Sequence, residues 1–262
     1  MTETGERHRR HRGYNKQFMD AASDRIAALG AGLGTAAAFM AWAVRGRSAR
    51  VFGPSVWRGT RERRALALTF DDGPSESTPR ILDILERYHV TATFFQIGVN
   101  VERLPSVARS VREAGHGIGN HSYSHPIFCD PRFGLRPGQS IERELRRAQE
   151  VIGEHTGARP NWFRAPYGVR WFGLGAALER LQLTSVMWTV IGYDWKRPAD
   201  AVVDRVAGHV SPGAIICLHD GRELRAKPDI GATVEAVRRL VPVLLDQGYK
   251  FVSLDELLCP KN

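Results

Sequence analysis

The sequence contains little cysteine. Its 262 residues include three, Cys129, Cys217 and Cys259, and no Cys-x-x-Cys pair. This odd and sparse set excludes a disulfide framework and a metal site built from paired thiolates. The fold must therefore rely on buried apolar side chains, and the hydrophobic share of 43% is ordinary for a globular protein.

Most of the chain also lacks excess charge of either sign. Residues 65–262 carry 24 Lys and Arg against 23 Asp and Glu, a net charge of +1, whereas residues 1–64 carry 13 against 5, a net charge of +8. A nucleic-acid-binding domain concentrates its basic residues on the folded module. The distribution therefore argues against a nucleic-acid partner, and no protein partner is indicated.

Long uncharged runs are scarce, with one exception at residues 26–44, which lie between Arg25 and Arg45. If helical, these nineteen residues span roughly 28 Å, close to the thickness of the hydrocarbon core of a bilayer. We predict a membrane-anchor helix here. A signal peptide, cleaved or uncleaved, and a soluble helix packed on the domain are the alternatives. The basic residues 1–25 are predicted to be a disordered tail, and residues 51–64 a linker.

From Ala65 onward, short apolar runs alternate with amphipathic stretches, a pattern typical of βα units. The predicted strands cover residues 65–70, 91–97, 116–120, 161–165, 185–191, 213–218 and 250–254. The predicted helices cover residues 78–88, 104–114, 140–155, 175–182, 199–209 and 232–246. Seven strands separated by six helices predict an α/β fold, a parallel barrel-like domain at residues 65–262.

Two adjacent carboxylates, Asp71 and Asp72, end the first predicted strand, and Gly73-Pro74 follows them. Open sheets and barrels place their active sites at the carboxyl ends of their strands. Neighbouring side chains on a strand point to opposite faces, but a turn at the strand end can bring both into one cleft. Taken alone, the pair could instead cap the next helix.

A pair of histidines, His121 and His125, follows the third predicted strand. At positions i and i+4 they share one face if the turn is helical, so both imidazoles could bind one ion. One carboxylate and two imidazoles form a facial set that leaves positions open for water and substrate. Further polar clusters end the later strands at residues 164–167, 193–195 and 218–220. Clusters at one end of one barrel predict an active site.

Five segments, in this order along the chain, resemble the five motifs of the polysaccharide deacetylases, carbohydrate esterase family 4. They are Thr-Phe-Asp-Asp-Gly-Pro at 69–74, His-Ser-Tyr-Ser-His at 121–125, Arg-Ala-Pro-Tyr at 164–167, Asp-Trp at 194–195 and Cys-Leu-His-Asp at 217–220. The resemblance covers residues 65–258, and the family includes chitin, peptidoglycan and nodulation-factor deacetylases. It implies a distorted (β/α)7 barrel, here preceded by an N-terminal helical segment.

The resemblance also implies the reacting groups. Asp72, His121 and His125 would bind a divalent metal, usually zinc, with cobalt, nickel or manganese as alternatives. Asp71 would be the general base that activates water. His219 would be the general acid that protonates the leaving amine.

Five further residues would support this chemistry. Arg164 would hold the base in place, and Asp194 would orient and tune the acid. The backbone N–H of Tyr167 would help to stabilise the oxyanion. Trp195 and Leu218 would wall the pocket for the acetyl methyl group.

The sequence departs from the family pattern at one motif position. The fourth motif often reads Asp-x-x-Asp-Trp, and Ile191 stands in place of its first acid. Because the second acid and the tryptophan are kept, we expect catalysis to survive and substrate preference to be the property affected.

The sequence therefore predicts a metal-dependent hydrolase that removes N-acetyl groups from N-acetylglucosamine-type residues of a cell-envelope or extracellular glycan. The enzyme would be anchored to the membrane through residues 26–44 with its catalytic domain outside the cytoplasm, or secreted. The alternatives are an O-acetyl esterase or deformylase acting on a sugar, including a lipid-linked one, and a catalytically silent glycan-binding module.

Overall fold

The computed structural model describes residues 30–259. It divides into two compact units between Ala43 and Val44, and every strand among the described residues belongs to the second unit. Within residues 30–259, no helix is long and apolar enough to cross a membrane. The predicted anchor begins at Ile26, so its first residues lie outside the described part of the chain, as does the predicted tail at residues 1–25.

The elements alternate along the chain. The strands are β1 (Ser55–Val56), β2 (Ala65–Gly73), β3 (Ala92–Gln96), β4 (Gly117–Asn120), β5 (Trp162–Phe163), β6 (Thr184–Val186), β7 (Val190–Ile191), β8 (Ala214–His219) and β9 (Lys250–Phe251). The helices are α1 (residues 30–45), α2 (Thr78–Arg87), α3 (Gly98–Arg103), α4 (Pro105–Glu113), α5 (Pro137–Thr156), α6 (Leu174–Arg180), α7 (Ala199–His209), α8 (Gly231–Asp246) and α9 (Leu254–Leu258). Each of the six predicted helices corresponds to one of these helices, and the predicted α/β fold is confirmed.

The strands form one parallel sheet rolled into a distorted barrel. Their order is β1-β6-β5-β4-β3-β2-β8-β7, with β9 paired to β2. Strands β6 and β7 lie at or next to opposite ends of this order, yet only residues 187–189 join them. A connection of this length spans at most about 14 Å. The two edges of the sheet must therefore approach each other.

The segment between β6 and β7 bridges those edges. The N–H of Thr189 donates to the carbonyl of Ile215 in β8 (2.8 Å), and its hydroxyl donates to the carbonyl of Trp57 after β1 (2.8 Å). The N–H of Met187 donates to the carbonyl of Val56 (2.7 Å). The prediction of one continuous strand at 185–191 is wrong, because this segment turns from one edge to the other. The predicted linker at 51–64 likewise contains β1.

Strand β2 lies between β3 and β8 in the sheet and is buried along its whole length. Leu66, Leu68 and Phe70 face the helices and lie in the largest hydrophobic cluster. Full burial of such a side chain stabilises the fold by about 1.5–3 kcal/mol. Because side chains alternate along a strand, Thr69 and Asp71 face the barrel interior at its carboxyl end. The packing of β2 thus fixes the position of the first candidate site residue.

Candidate active site

A local irregularity at the end of β2 brings Asp71 and Asp72 into the same cavity. The pairing of β2 with β3 shifts register between Asp71 and Gly73, and Asp72 has a left-handed backbone with a φ of 71°. Such a φ in a residue with a side chain costs on the order of 1–3 kcal/mol. It cancels the alternation that would otherwise send the two carboxylates to opposite faces. Both line one cavity of about 980 Å³.

The two histidines meet through a loop. Ser122 and His125 are left-handed, with φ values of 64° and 56°, so the turn between the histidines is not helical. The side chain of Asn120 accepts from the N–H of Ser122 (2.8 Å), and the Ser122 hydroxyl accepts from the N–H of His125 (3.1 Å). Short polar side chains that bond to nearby backbone in this way compete with helix formation. The resulting bend still brings the rings of His121 and His125 to 4.9 Å between centroids.

Asp72, His121 and His125 form a set of metal-binding donors. The Nε2 atoms of His121 and His125 lie 3.4 Å and 3.1 Å from the same Asp72 oxygen, and the three ligand atoms lie within 4.8 Å of one another. His121 Nδ1 lies 2.8 Å from the carbonyl of Arg164. That contact requires a proton on Nδ1, so in the neutral ring the Nε2 lone pair faces the Asp72 oxygen.

The chemistry of this donor set fits a divalent ion. Burial alone would raise the pKa of Asp72, but the adjacent imidazoles of His121 and His125 hold it well below its usual range. The carboxylate is therefore ionised. An ionised carboxylate and two imidazole nitrogens are ligands that zinc takes in proteins. A cation between them removes the repulsion of lone pairs that face each other.

A buried arginine holds Asp71. The Arg164 side chain is fully buried, and its Nη1 donates to Asp71 Oδ1 (2.7 Å) and Thr69 Oγ1 (2.8 Å). Its guanidinium carbon lies 4.1 Å from the centroid of the Phe95 ring. The Cys217 thiol donates to the second oxygen, Asp71 Oδ2, at 3.4 Å. Both oxygens of the Asp71 carboxylate thus have a fixed partner. Removal of either member of a buried ion pair such as Asp71 and Arg164 is strongly destabilising.

His219 and Asp194 form a second fixed pair. His219 Nδ1 lies 2.9 Å from Asp194 Oδ1, and the other carboxylate oxygen accepts from the His219 N–H (2.9 Å) and the Thr233 hydroxyl (2.7 Å). Burial by itself lowers the pKa of His219, but the charge and hydrogen bond of Asp194 together with the charges of Asp72 and Asp71 outweigh it, and the pKa is raised to about 9. The imidazole therefore carries a proton at neutral pH. Trp195 lies edge-on to it, with 4.7 Å between ring centroids.

Comparison with known proteins places this geometry in a family. Residues 58–186 match the family model described as polysaccharide deacetylase. A chitooligosaccharide deacetylase of Azorhizobium caulinodans is 34% identical over 211 residues, which cover 75% of this chain and 96% of that protein. The chain belongs to the polysaccharide deacetylase family.

Other polysaccharide deacetylases resemble it to a similar degree. A peptidoglycan-N-acetylglucosamine deacetylase of Bacillus cereus is 34% identical, and the match covers 77% of this chain and 71% of that protein. The crystal structure of the peptidoglycan N-acetylglucosamine deacetylase Bc1960 superposes with a TM-score of 0.70 at 32% identity. It covers 78% of this chain and 92% of that one. The barrel is thus the fold of solved deacetylases.

One predicted pocket residue of this deacetylase lies elsewhere. Leu218 is fully buried in the hydrophobic cluster between the sheet and the helices, so the prediction that it walls the acetyl pocket is wrong. Because side chains alternate along β8, the cavity is lined by Cys217 and His219. Tyr167 and Trp195, also predicted near the substrate, do line the cavity.

Several residues that sequence reasoning missed support the deacetylase site. The backbone N–H of Glu223 donates to Asp72 Oδ2 (3.0 Å), and its carboxylate accepts from the Tyr167 hydroxyl (2.9 Å). The Asn100 amide donates to the carbonyls of Asp72 (2.9 Å) and Glu223 (2.8 Å). Neither residue belongs to a quoted motif. Thr233, which bonds Asp194, carries no sequence signal either, because it lies in the first turn of an ordinary amphipathic helix.

Proposed function

We propose that this polysaccharide deacetylase is a metal-dependent hydrolase that removes N-acetyl groups from N-acetylglucosamine-type residues of a cell-envelope or extracellular glycan. The observation that carries the proposal is the meeting, in one cavity, of a facial metal-binding set with a carboxylate and a protonated imidazole. The names of its relatives, peptidoglycan-N-acetylglucosamine and chitooligosaccharide deacetylase, support this class of substrate.

Asp72, His121 and His125 would hold the divalent ion. Zinc suits one carboxylate and two imidazoles, and cobalt, nickel or manganese can take the same ligands. When bound, the ion supplies Lewis acidity to the acetamide carbonyl and to a water molecule.

The two remaining titratable groups divide the proton transfers. Asp71 takes a proton from the attacking water as the carbon–oxygen bond forms, which contributes about 10²–10⁴-fold to the rate. The N–H of Tyr167 donates to the oxyanion, where charge develops in the transition state. His219 donates its proton to the nitrogen as the carbon–nitrogen bond breaks. The products are acetate and the free amino sugar.

Arg164 and Asp194 are positioning residues in this scheme. Arg164 holds the oxygen of Asp71 that does not receive the proton. Asp194 keeps His219 protonated and bonds its Nδ1, so the Nε2 of His219 faces away from Asp194. Trp195 and Cys217 wall the space for the acetyl methyl group, since both line the cavity beside His219.

Asp194→Asn should move the alkaline limb of the pH profile to lower pH. His219 has to be protonated to act as the acid, so activity falls as pH rises through its pKa. Loss of the Asp194 charge lowers that pKa by about one to three units, the usual effect of a close opposite charge. Acetate release measured as kcat/KM across the neutral and alkaline range would reveal the shift. The exposed Asp246→Asn variant is the control, and an unmoved limb in Asp194→Asn contradicts the assignment.

A substrate panel tests the proposal as a whole. Metal-replete protein should release acetate from chitooligosaccharides or peptidoglycan. If only O-acetylated sugars are turned over, the protein is an esterase instead. If formate is released, for example from lipid-linked sugars, it is a deformylase. Glycan binding without release of any acid would identify a silent binding module.

The proposed substrate sets the proposed location. A glycan of the cell envelope is met outside the cytoplasm, by a protein anchored through residues 26–44 or secreted. In this proposal the catalytic domain comprises residues 65–262. Its substrate is a glycan, and no nucleic acid is expected to bind.

A further inference from the structure

One part of the cavity wall is lined by arginines that belong to none of the motifs. Five of them border the cavity: Arg45, Arg47, Arg205, Arg222 and Arg225. Within residues 30–259, none of the five forms an ion pair with a carboxylate. The cavity contains three carboxylates. Asp71 and Asp72 are bonded within the catalytic centre, and Glu223 accepts from the Tyr167 hydroxyl. This part of the cavity therefore carries uncompensated positive charge.

Two contacts position the Arg205 side chain. Its Nε donates to the carbonyl of Ile191 (2.7 Å), and its guanidinium carbon lies 4.7 Å from the centroid of the Tyr193 ring. These two contacts fix the plane of the guanidinium group. Neither terminal nitrogen has a hydrogen-bond acceptor among the described residues. A guanidinium group held in this way is prepared to bind a planar anion with two parallel hydrogen bonds.

The residue that holds Arg205 adds no negative charge. Ile191 lines the cavity at the position where the fourth motif often carries an acid. An acid at this position would place a carboxylate next to the guanidinium group and reduce its attraction for an anion. The departure from the motif thus leaves the charge of Arg205 available to a ligand.

Arg47 and Arg222 are held in similar ways. Arg47 donates to the carbonyl of Thr189, and its guanidinium carbon lies 5.9 Å from the centroid of the Trp57 ring. Arg222 Nη1 donates to the carbonyl of Trp195 (2.5 Å), while its Nε is buried without a partner in the described part of the chain. Aromatic rings therefore accompany Arg47 and Arg205 along the cavity, and such rings offer flat apolar faces to sugars.

We infer that Arg47, Arg205 and Arg222, here called the arginine wall, bind a carboxylate or phosphate group carried by the glycan near the acetylated sugar. The inference rests on the proposed function and narrows its substrate to acidic glycans. The rings would contact the sugar, and the guanidinium groups would contact its anionic substituent. A neutral glycan of the same length would fill the cavity but leave the arginines without a partner.

The test compares oligosaccharides of equal length that are neutral, carboxylated or phosphorylated. Wild type should have a higher kcat/KM for an acidic substrate than for the neutral one, mainly through KM. Arg205→Gln and Arg47→Gln should lose roughly 10- to 100-fold on the acidic substrate, the usual effect of removing a hydrogen bond to a charged group. Both variants should keep the neutral activity, which also shows that they fold. The carboxylated and phosphorylated substrates show which anion is preferred.

Three controls make the result specific. Arg112→Gln removes an exposed arginine outside the cavity and should change neither activity. Arg205→Lys keeps the charge but not the fork of donors, so it should retain part of the preference. Raised ionic strength should reduce the preference of wild type, because salt screens exposed charges.

Two outcomes would overturn the inference. One is equal kcat/KM of wild type for neutral and acidic substrates; the other is an equal loss on both in Arg205→Gln. If acetate is released from neutral chitooligosaccharides without such a preference, the proposed function stands and the inference alone fails. If no acetate is released at all, equilibrium binding of the same oligosaccharides to metal-replete protein decides. Equal affinity for neutral and acidic chains rejects the inference, and tighter binding of acidic chains that Arg205→Gln abolishes supports it.

Discussion

We expect the Asp71→Asn variant to lose at least about 10²–10⁴-fold in acetate release, the contribution typical of a general base. The amide has the shape of the carboxylate but cannot take a proton from water. Its oxygen can still accept from Arg164, and its nitrogen can face the sulfur of Cys217, so the shape of the packing is kept although the buried charge of Arg164 loses its partner. The metal-binding donors are untouched, and metal content should stay near that of wild type.

Acetate assays on acetylated oligosaccharides and elemental analysis of the same preparation check this result. The exposed Asp246→Asn variant, which removes a carboxylate outside the cavity, should match wild type in both measurements. Unchanged turnover in Asp71→Asn would refute its assignment as the base. Loss of turnover together with loss of metal would show instead that Asp71 helps to hold the ion.

The second large effect is expected at the metal-binding histidines. His121→Ala and His125→Ala should each lower metal affinity by more than the 10- to 100-fold typical of losing an outer-shell partner, because each removes a direct donor. Acetate release should fall to background with the metal content. A chelator should do the same to wild type, and added zinc should restore activity to wild type but not to the variants at equal concentration.

The His155→Ala variant is the matched control, since this histidine lies in helix α5 outside the cavity. Thermal unfolding in the presence and absence of metal separates loss of ligation from loss of the fold. Full metal content in both histidine variants would exclude these residues as the ion's ligands.

Most of the barrel could be predicted because its central strands carry clear patterns. Residues 65–70 of β2 and 214–218 of β8 are mostly apolar runs, and several helices between the strands are strongly amphipathic. Strands β1, β5, β7 and β9 have two residues each, which is too short for any periodic signal. Accordingly β1 is not among the predicted strands, and those predicted at 161–165 and 250–254 are longer than β5 and β9. The run at 185–191 contains neither glycine nor proline, so nothing in its composition shows that it changes edges at Met187.

The site was predictable in its residues and less so in its geometry. The motifs gave the identities of the donors, the base and the acid, but not the backbone that brings them together. Ser122 and Asp72 are left-handed because of bonds and register shifts made within the folded sheet. The sequence prediction assigns Leu218 to the wrong face of β8, because neighbouring residues along a strand point to opposite faces of the sheet. Arg47 and Arg205 lie far from any motif in sequence, and only the fold brings them to the cavity.

Arg164 serves both parts of the site through chemically independent groups. Its guanidinium group holds Asp71, whereas its backbone carbonyl fixes the tautomer of His121. Every amino acid at position 164 supplies a carbonyl, but only arginine supplies this fork of donors. Loss of the Arg164 side chain would therefore leave Asp71 buried without its partner, at a cost to the stability of the fold, while the carbonyl that bonds His121 stays in place. The two halves of the site thus depend on position 164 to different degrees: the base needs its side chain, whereas the ion's ligand needs only its backbone.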